Sequence, residues 1–122
     1  MQPGRAQVSH RTAPAGRLGR VRNAGRIQGG RGIPSPGLRR FDGYALMLVF
    51  GGGGRYRDPE HDLPLHPGDL VEVLPGRPHW YGCDGPGRWD EVHLVFEGPV
   101  FDLCVRQGLL GAGSPVHHLA PV

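Results

Sequence analysis

Two stretches of the chain carry side chains with chemical reach. In WDEVHLVF (89–96) a strand's period of two sets Trp89, Glu91, His93 and Val95 on one face and Val92, Leu94 and Phe96 on the other. A carboxylate on the first face is costly to bury. Glu91 therefore either meets a partner such as His93, Arg55 or a ligand donor, or its face opens to solvent. In RYR (55–57), Arg55 and Arg57 share a face because they are two apart. Turned inward, their forked donors suit an anionic or polyhydroxy ligand through charge-assisted hydrogen bonds. Turned outward, they leave Tyr56 inside, the arrangement favoured by the rarity of buried unpaired arginine. Trp80, Tyr81 and Trp89 add aromatic surface that either packs a small core or stacks on the apolar side of a polar ligand.

Covalent catalysis finds no support. Ser9, Ser35 and Ser114 sit outside any nucleophile motif, and neither Cys83 nor Cys104 has the CxxC or helix-start setting that lowers a thiol pKa. The four glycines 51–54 follow a strand but lead into another strand, so they lack the helix N-terminus with which glycine loops hold phosphate. His117 and His118, in a tail flanked by Pro115 and Val116, suggest no role.

Short strands must position these residues. YALMLVF (44–50) is a bounded apolar run, and Gly51–Gly54 predicts a hairpin back into 55–57. A turn at 58–62, a short strand at 63–65, a strand at 70–74, the PGRP turn and strands at 79–81 and 89–96 follow. Pro99 suits the first position of a helix that Gly108 closes, with Val100, Phe101, Cys104 and Val105 as its buried stripe. The pattern predicts an all-β class, a small antiparallel barrel or sandwich with one short C-terminal helix.

At 122 residues the chain has room for one domain, and 22 Gly with 13 Pro oppose long helices. All 14 basic residues are arginine, and nine of them fall in residues 1–40, which contain no acid. Residues 1–38 show neither helical nor strand periodicity and are expected to be a disordered leader, either a phosphate-binding arm or a solvated tail. Residues 39–98 form the expected barrel and 99–122 the helix and tail. Two cysteines argue against a disulfide scaffold, and the apolar run 44–50 is too short to span a bilayer, which together predict a cytoplasmic protein without membrane partners.

LHPGDLVEVLPGRPHWYG (65–82) followed by WDEVHLVFEGP (89–99) resembles the cupin-type effector-binding domain of AraC-family transcription regulators, over residues 40–110. The resemblance implies a jelly-roll module that binds a small effector and forms a homodimer. In that family DNA is read by a separate helix-turn-helix domain, and no such helices are expected in this sequence. The general cupin metal motif, anchored on Gly68 and Gly76, falls on Arg55, Arg57, His61 and His79. Arginine has no lone pair to donate, so the resemblance carries no metal centre, no catalytic residue and no cofactor. By motif position, the arabinose-responsive regulators of the family imply ligand contacts at Tyr81, Glu91 and His93 with Trp89, and His79, Arg55 and Arg57 complete the candidate set. The alternative is a stand-alone cupin metalloenzyme of isomerase or dioxygenase type.

Overall fold

The computed structural model describes residues 5–10, 16–35, 37–83 and 85–119. The strands are β1 (Arg5–His10), β2 (Arg20–Gly30), β3 (Tyr44–Gly52), β4 (Gly54–Arg57), β5 (Asp62–Leu65), β6 (Asp69–Val73), β7 (Trp80–Gly82) and β8 (Trp89–Glu97). Helix α1 (Pro99–Arg106) and strand β9 (Val116–His118) complete the order. Two antiparallel sheets face each other, one ordered β1-β2-β8-β3-β6-β9 and one ordered β5-β4-β7. This is the expected all-β jelly roll with its short helix.

The apolar run of β3 is continuous because both of its faces are covered. Met47 and Val49 point between the sheets with Val71, Val73, Leu65, Tyr56, Tyr81 and Trp89. On the outer side Tyr44 and Leu46 pack with Phe96, Leu94, Leu74 and the α1 residues Phe101 and Val105. Tyr44 stacks on Phe96 at 5.5 Å and donates its hydroxyl to Asp102 at 2.6 Å, which pins the helix to the sheet. Pro99 opens α1, and Gly108, at φ 75°, follows its end. None of the α1 residues is fully buried, so the expected stripe is a half-buried one.

Three expectations fail. The chain does not form a hairpin across Gly51–Gly54. β3 pairs with β6 and β8, whereas β4 pairs with β5 and β7, so the glycines carry the chain from one sheet to the other. A Cβ at Gly54 would collide with the Gly82 carbonyl, which explains why this crossing needs glycine.

The disordered leader is the second. Arg20–Gly30 is a sheet strand lying antiparallel to β8, with Gly25 opposite His93 and Ile27 opposite Glu91. Arg20 is fixed to Glu97 at 2.7 Å and Arg22 to Asp42 at 2.7 Å. Beyond it Ile33 donates its amide to the Tyr81 carbonyl at 2.9 Å, Cys83 donates to Arg31 at 3.1 Å, and Trp80 Nε1 donates to the Ile33 carbonyl at 3.2 Å. The folded unit therefore begins well before residue 39. Its early strand lacks an apolar alternation because non-local backbone pairing and arginine–carboxylate contacts hold it. Residues 1–4, 11–15 and 36 of the expected leader and 120–122 of the expected tail lie outside the described residues.

The third is the tail, where β9 adds to the edge of β6 with His118 opposite Asp69 and Val116 opposite Val71.

Candidate functional site

The period of two along β8 holds: Trp89 (1% exposed) and Glu91 (4%) are buried on the inner face, whereas Val92 is 43% exposed on the outer one. The inner wall assembles from β7 and β8. Tyr81 lies 6.1 Å from the Trp89 ring and 6.0 Å from His79. Trp89 donates Nε1–H to Glu91 Oε1 at 3.3 Å, and His93 Nδ1 lies 3.6 Å from Glu91 Oε2. His79, Tyr81, Trp89, Glu91 and His93 thus form one continuous aromatic and polar row. Among the described residues no arginine lies within ion-pair distance of Glu91, so its carboxylate is buried with one indole N–H and one imidazole beside it.

At one end of the row stands Arg39, which sequence reasoning missed. Its backbone forms a two-way bridge to His79, with Arg39 N–H to the His79 carbonyl at 2.8 Å and His79 N–H to the Arg39 carbonyl at 2.9 Å. This returns its guanidinium over the row, where Nε–H reaches His79 Nε2 at 3.4 Å and Nη2–H reaches the Tyr81 hydroxyl at 3.5 Å. The signal available was position alone, an arginine just before the first long apolar strand.

Electrostatics follow from this packing. Burial pushes the His79 imidazole below its ordinary range, and the Arg39 charge adds to the effect against the opposing Arg77 carbonyl. His79 Nδ1–H donates to that carbonyl at 3.0 Å, so Nε2 carries the lone pair that faces Arg39. Burial, with the neighbouring Glu91 charge, raises the Tyr81 hydroxyl to about 12. Both side chains are neutral at physiological pH, with Tyr81 a donor and His79 an acceptor.

Arg55 and Arg57 do not join this wall. Tyr56, 3% exposed, points inward opposite Tyr81, and the two arginines face outward. Arg55 Nε donates to Asp62 at 2.7 Å, and Arg57 lies over the Trp80 ring at 5.0 Å. Their inclusion in the ligand set is corrected here: the aromatic between them takes the interior position because its burial costs less than that of a guanidinium.

A cleft of about 460 Å³ opens at the end of the sandwich where β4 and β6 finish and β7 begins. Tyr56, His61, Glu72, Arg77 and His79 line it, together with Gly111, Gly113 and Pro115. The β4–β5 turn on its rim is organised by Asp58, which accepts the Tyr56 hydroxyl at 2.7 Å, the Glu60 amide at 2.8 Å and His61 Nδ1 at 2.9 Å. Burial works against the Asp58 charge, but these donors outweigh it and hold the carboxyl below its usual range. The cleft reaches the polar row at His79.

The opposite wall of the cleft leads into β9. Of the histidines left without a role, His118 has a clear one, its Nδ1 lying 2.7 Å from Asp69 Oδ1, whereas His117 Nε2 is buried 3.3 Å from Glu72 Oε2 without forming a hydrogen bond.

The donor set does not fit a cupin metal centre. Of the four motif positions, Arg55 and Arg57 face away and His79 Nε2 faces a guanidinium. Among the described residues no three His, Cys, Asp or Glu side chains converge as ligands.

The AraC-like ligand binding domain family matches residues 35–121. No curated protein matches the chain. Solved structures similar to it include a cupin-like protein from Thermotoga maritima, at 17% identity and a TM-score of 0.54, covering 98% of this chain and 77% of that one. A predicted oxalate decarboxylase from the same organism is similar at 20% identity and a TM-score of 0.52, over 63% of this chain and 67% of that one. A cupin 2 domain-containing protein from Halorhodospira halophila aligns at 18% identity and a TM-score of 0.51, over 88% and 77% of the two chains. At these identities the likeness establishes the cupin fold.

Proposed function

Since the chain belongs to the AraC-like ligand binding domain family, we propose that it is the sensing and dimerising part of a transcription regulator. It binds a small polar effector, a sugar or sugar acid, against Tyr81, Trp89, Glu91 and His93, with His79 at the end of the row where the cleft opens. The observation that carries this reading is Glu91, 4% exposed, with the His93 imidazole at 3.6 Å and, among the described residues, no arginine within ion-pair distance. A carboxylate so placed gains most from hydroxyl donors supplied by a ligand, while Trp89 and Tyr81 offer ring faces to a sugar's apolar side. DNA contact belongs to helix-turn-helix units; among the described residues the one α-helix is α1, which packs on the sheet.

The second reading is a stand-alone cupin metalloenzyme of isomerase or dioxygenase type, favoured by the fold likeness to a predicted oxalate decarboxylase. The two outward arginines at ligand positions weigh against it. Thermal-shift titration of the full chain with sugars, sugar acids and divalent metals separates the two. Stabilisation by a sugar-type compound, lost in Glu91→Ala and Tyr81→Ala, supports the sensor. Stabilisation by metal alone, lost in His79→Ala, supports the enzyme, as does stoichiometric Fe, Mn or Zn in the purified protein.

A further inference from the structure

Arg39 is the arginine of the polar row, whereas Arg31, Arg40 and Arg88 reach backbone carbonyls elsewhere. Arg20, Arg22 and Arg55 each hold a carboxylate at 2.7 Å. Among the described residues no carboxylate lies within ion-pair distance of Arg39; its side-chain contacts, at 3.4 and 3.5 Å, stand at the outer limit of hydrogen bonding. Its position is nonetheless fixed. The two-way bridge to His79 sets its backbone, and its guanidinium lies 5.3 Å from the Phe41 ring and 5.8 Å from the Tyr81 ring. Nε–H and one Nη2–H make those long contacts, while the aromatic faces orient the guanidinium without using its remaining Nη1–H and Nη2–H donors, which stay available to a planar acceptor. The Tyr81 hydroxyl feels both this cation and Glu91, an acceptor-only carboxylate whose Oε1 takes the Trp89 indole N–H. The wall thus presents a fork of donors at one end and two carboxylate oxygens at the other.

Building on the effector reading above, we infer that Arg39 is the specificity-determining residue of this site. Its guanidinium receives a carboxylate of the effector while effector hydroxyls donate to Glu91, so the effector class is a sugar acid of the uronate type in preference to a neutral sugar. Charge-assisted, forked contacts of this kind distinguish an acid from its neutral counterpart, because the neutral compound leaves the fork unmatched.

Isothermal titration of the full chain with matched pairs, glucuronate against glucose and galacturonate against galactose, tests the assignment. The uronate of at least one pair is expected to bind roughly tenfold or more tightly than its aldose, the equivalent of one charged hydrogen bond. Arg39→Gln should bring the two members of that pair to equal affinity, and Arg39→Lys, which keeps the charge and loses the fork, should give an intermediate preference. Glu91→Gln should weaken both members in parallel. Equal binding of acid and neutral sugar by the unaltered protein, or a preference that survives Arg39→Gln, overturns the role of Arg39 while leaving the pocket intact. Binding that ignores Glu91→Gln overturns the pocket reading itself, and binding of none of the four compounds overturns the uronate class. Circular dichroism of each variant confirms that the fold persists.

Discussion

His118 and Asp69, 49 residues apart in the chain, meet at 2.7 Å, so that β9 hangs from a carboxylate that is only 4% exposed. The other Asp69 oxygen accepts the His66 amide at 2.7 Å, which ties the ProGlyAsp turn to the same group. Asp69 is therefore the joint between the start of β6 and the end of the described chain. Asp69→Ala leaves the His66 amide unsatisfied and is expected to cost about 2 kcal/mol. His118→Ala, whose side chain is largely exposed, should cost about 0.5 kcal/mol. Urea unfolding of the two variants measures the difference, and equal losses would show that Asp69 acts only through His118.

Glu91 predicts a trade of stability against binding. A buried carboxylate with one indole donor destabilises the ligand-free fold. Glu91→Gln should leave the melting temperature unchanged or raise it by a few degrees, while removing the stabilisation conferred by an effector. A large drop in melting temperature would mean that the carboxylate serves packing.

His79 sets a pH dependence. Its imidazole titrates below the ordinary 6.5 when folded, so the unfolded chain takes up the proton first as pH falls. The contribution is fully present above pH 6.5 and is lost as pH drops from there through the folded value. His79→Gln should flatten this limb of the stability profile. Asp58, held below its usual 3.8, contributes in the same direction in a separate, more acidic window that Asp58→Asn removes. Denaturant midpoints measured across pH 3–8 for the three proteins resolve the two limbs.

Gly54 and Gly76 test the crossing between sheets. An added Cβ at Gly54 would strike the Gly82 carbonyl, whereas at Gly76, with φ 77°, it would meet open space. Gly54→Ala is expected to cost more than about 2 kcal/mol and Gly76→Ala about 1 kcal/mol, by chemical unfolding.

A chain beginning at residue 38 should not fold cooperatively, since it strips β2 from β8 and the Ile33 cover from Trp80. Sedimentation and thermal unfolding are expected to show aggregation or a non-cooperative transition. A sharp transition matching that of the full chain would return the early residues to the status of an accessory segment.

The strands most legible in the sequence were those whose residues carry their own burial signal. Tyr44–Phe50 is apolar on both faces, Trp89–Phe96 alternates, and Pro99 and Gly108 bracket the helix, so local pattern and final packing agree. The arginine pair was legible only in part: the aromatic between them pointed to the outward arrangement, yet the resemblance put both in a ligand set that they do not join. What the sequence concealed depends on partners far along the chain. β2 has little apolar pattern and is held by β8. The glycines at 51–54 permit a hairpin and a sheet crossing alike, and only the pairing of β4 with β7 decides. Arg39 and His118 gain their roles from the residues they face across the fold, His79 and Tyr81 for the first, Asp69 for the second.

The pairing of β2 with β8 also sets a timetable. Arg20 and Glu97 lie 77 residues apart, so the first long strand, with only β1 beside it, lacks its β8 neighbour until almost the whole chain has emerged during synthesis. A waiting strand rich in valine and isoleucine would invite association with other chains. The arginine-rich, acid-free and aromatic-poor composition of the first 40 residues meets this hazard directly, because mutual repulsion and low stickiness keep the strand solvated until its neighbour arrives. What resembles a leader in composition is, in folding order, a strand kept in reserve.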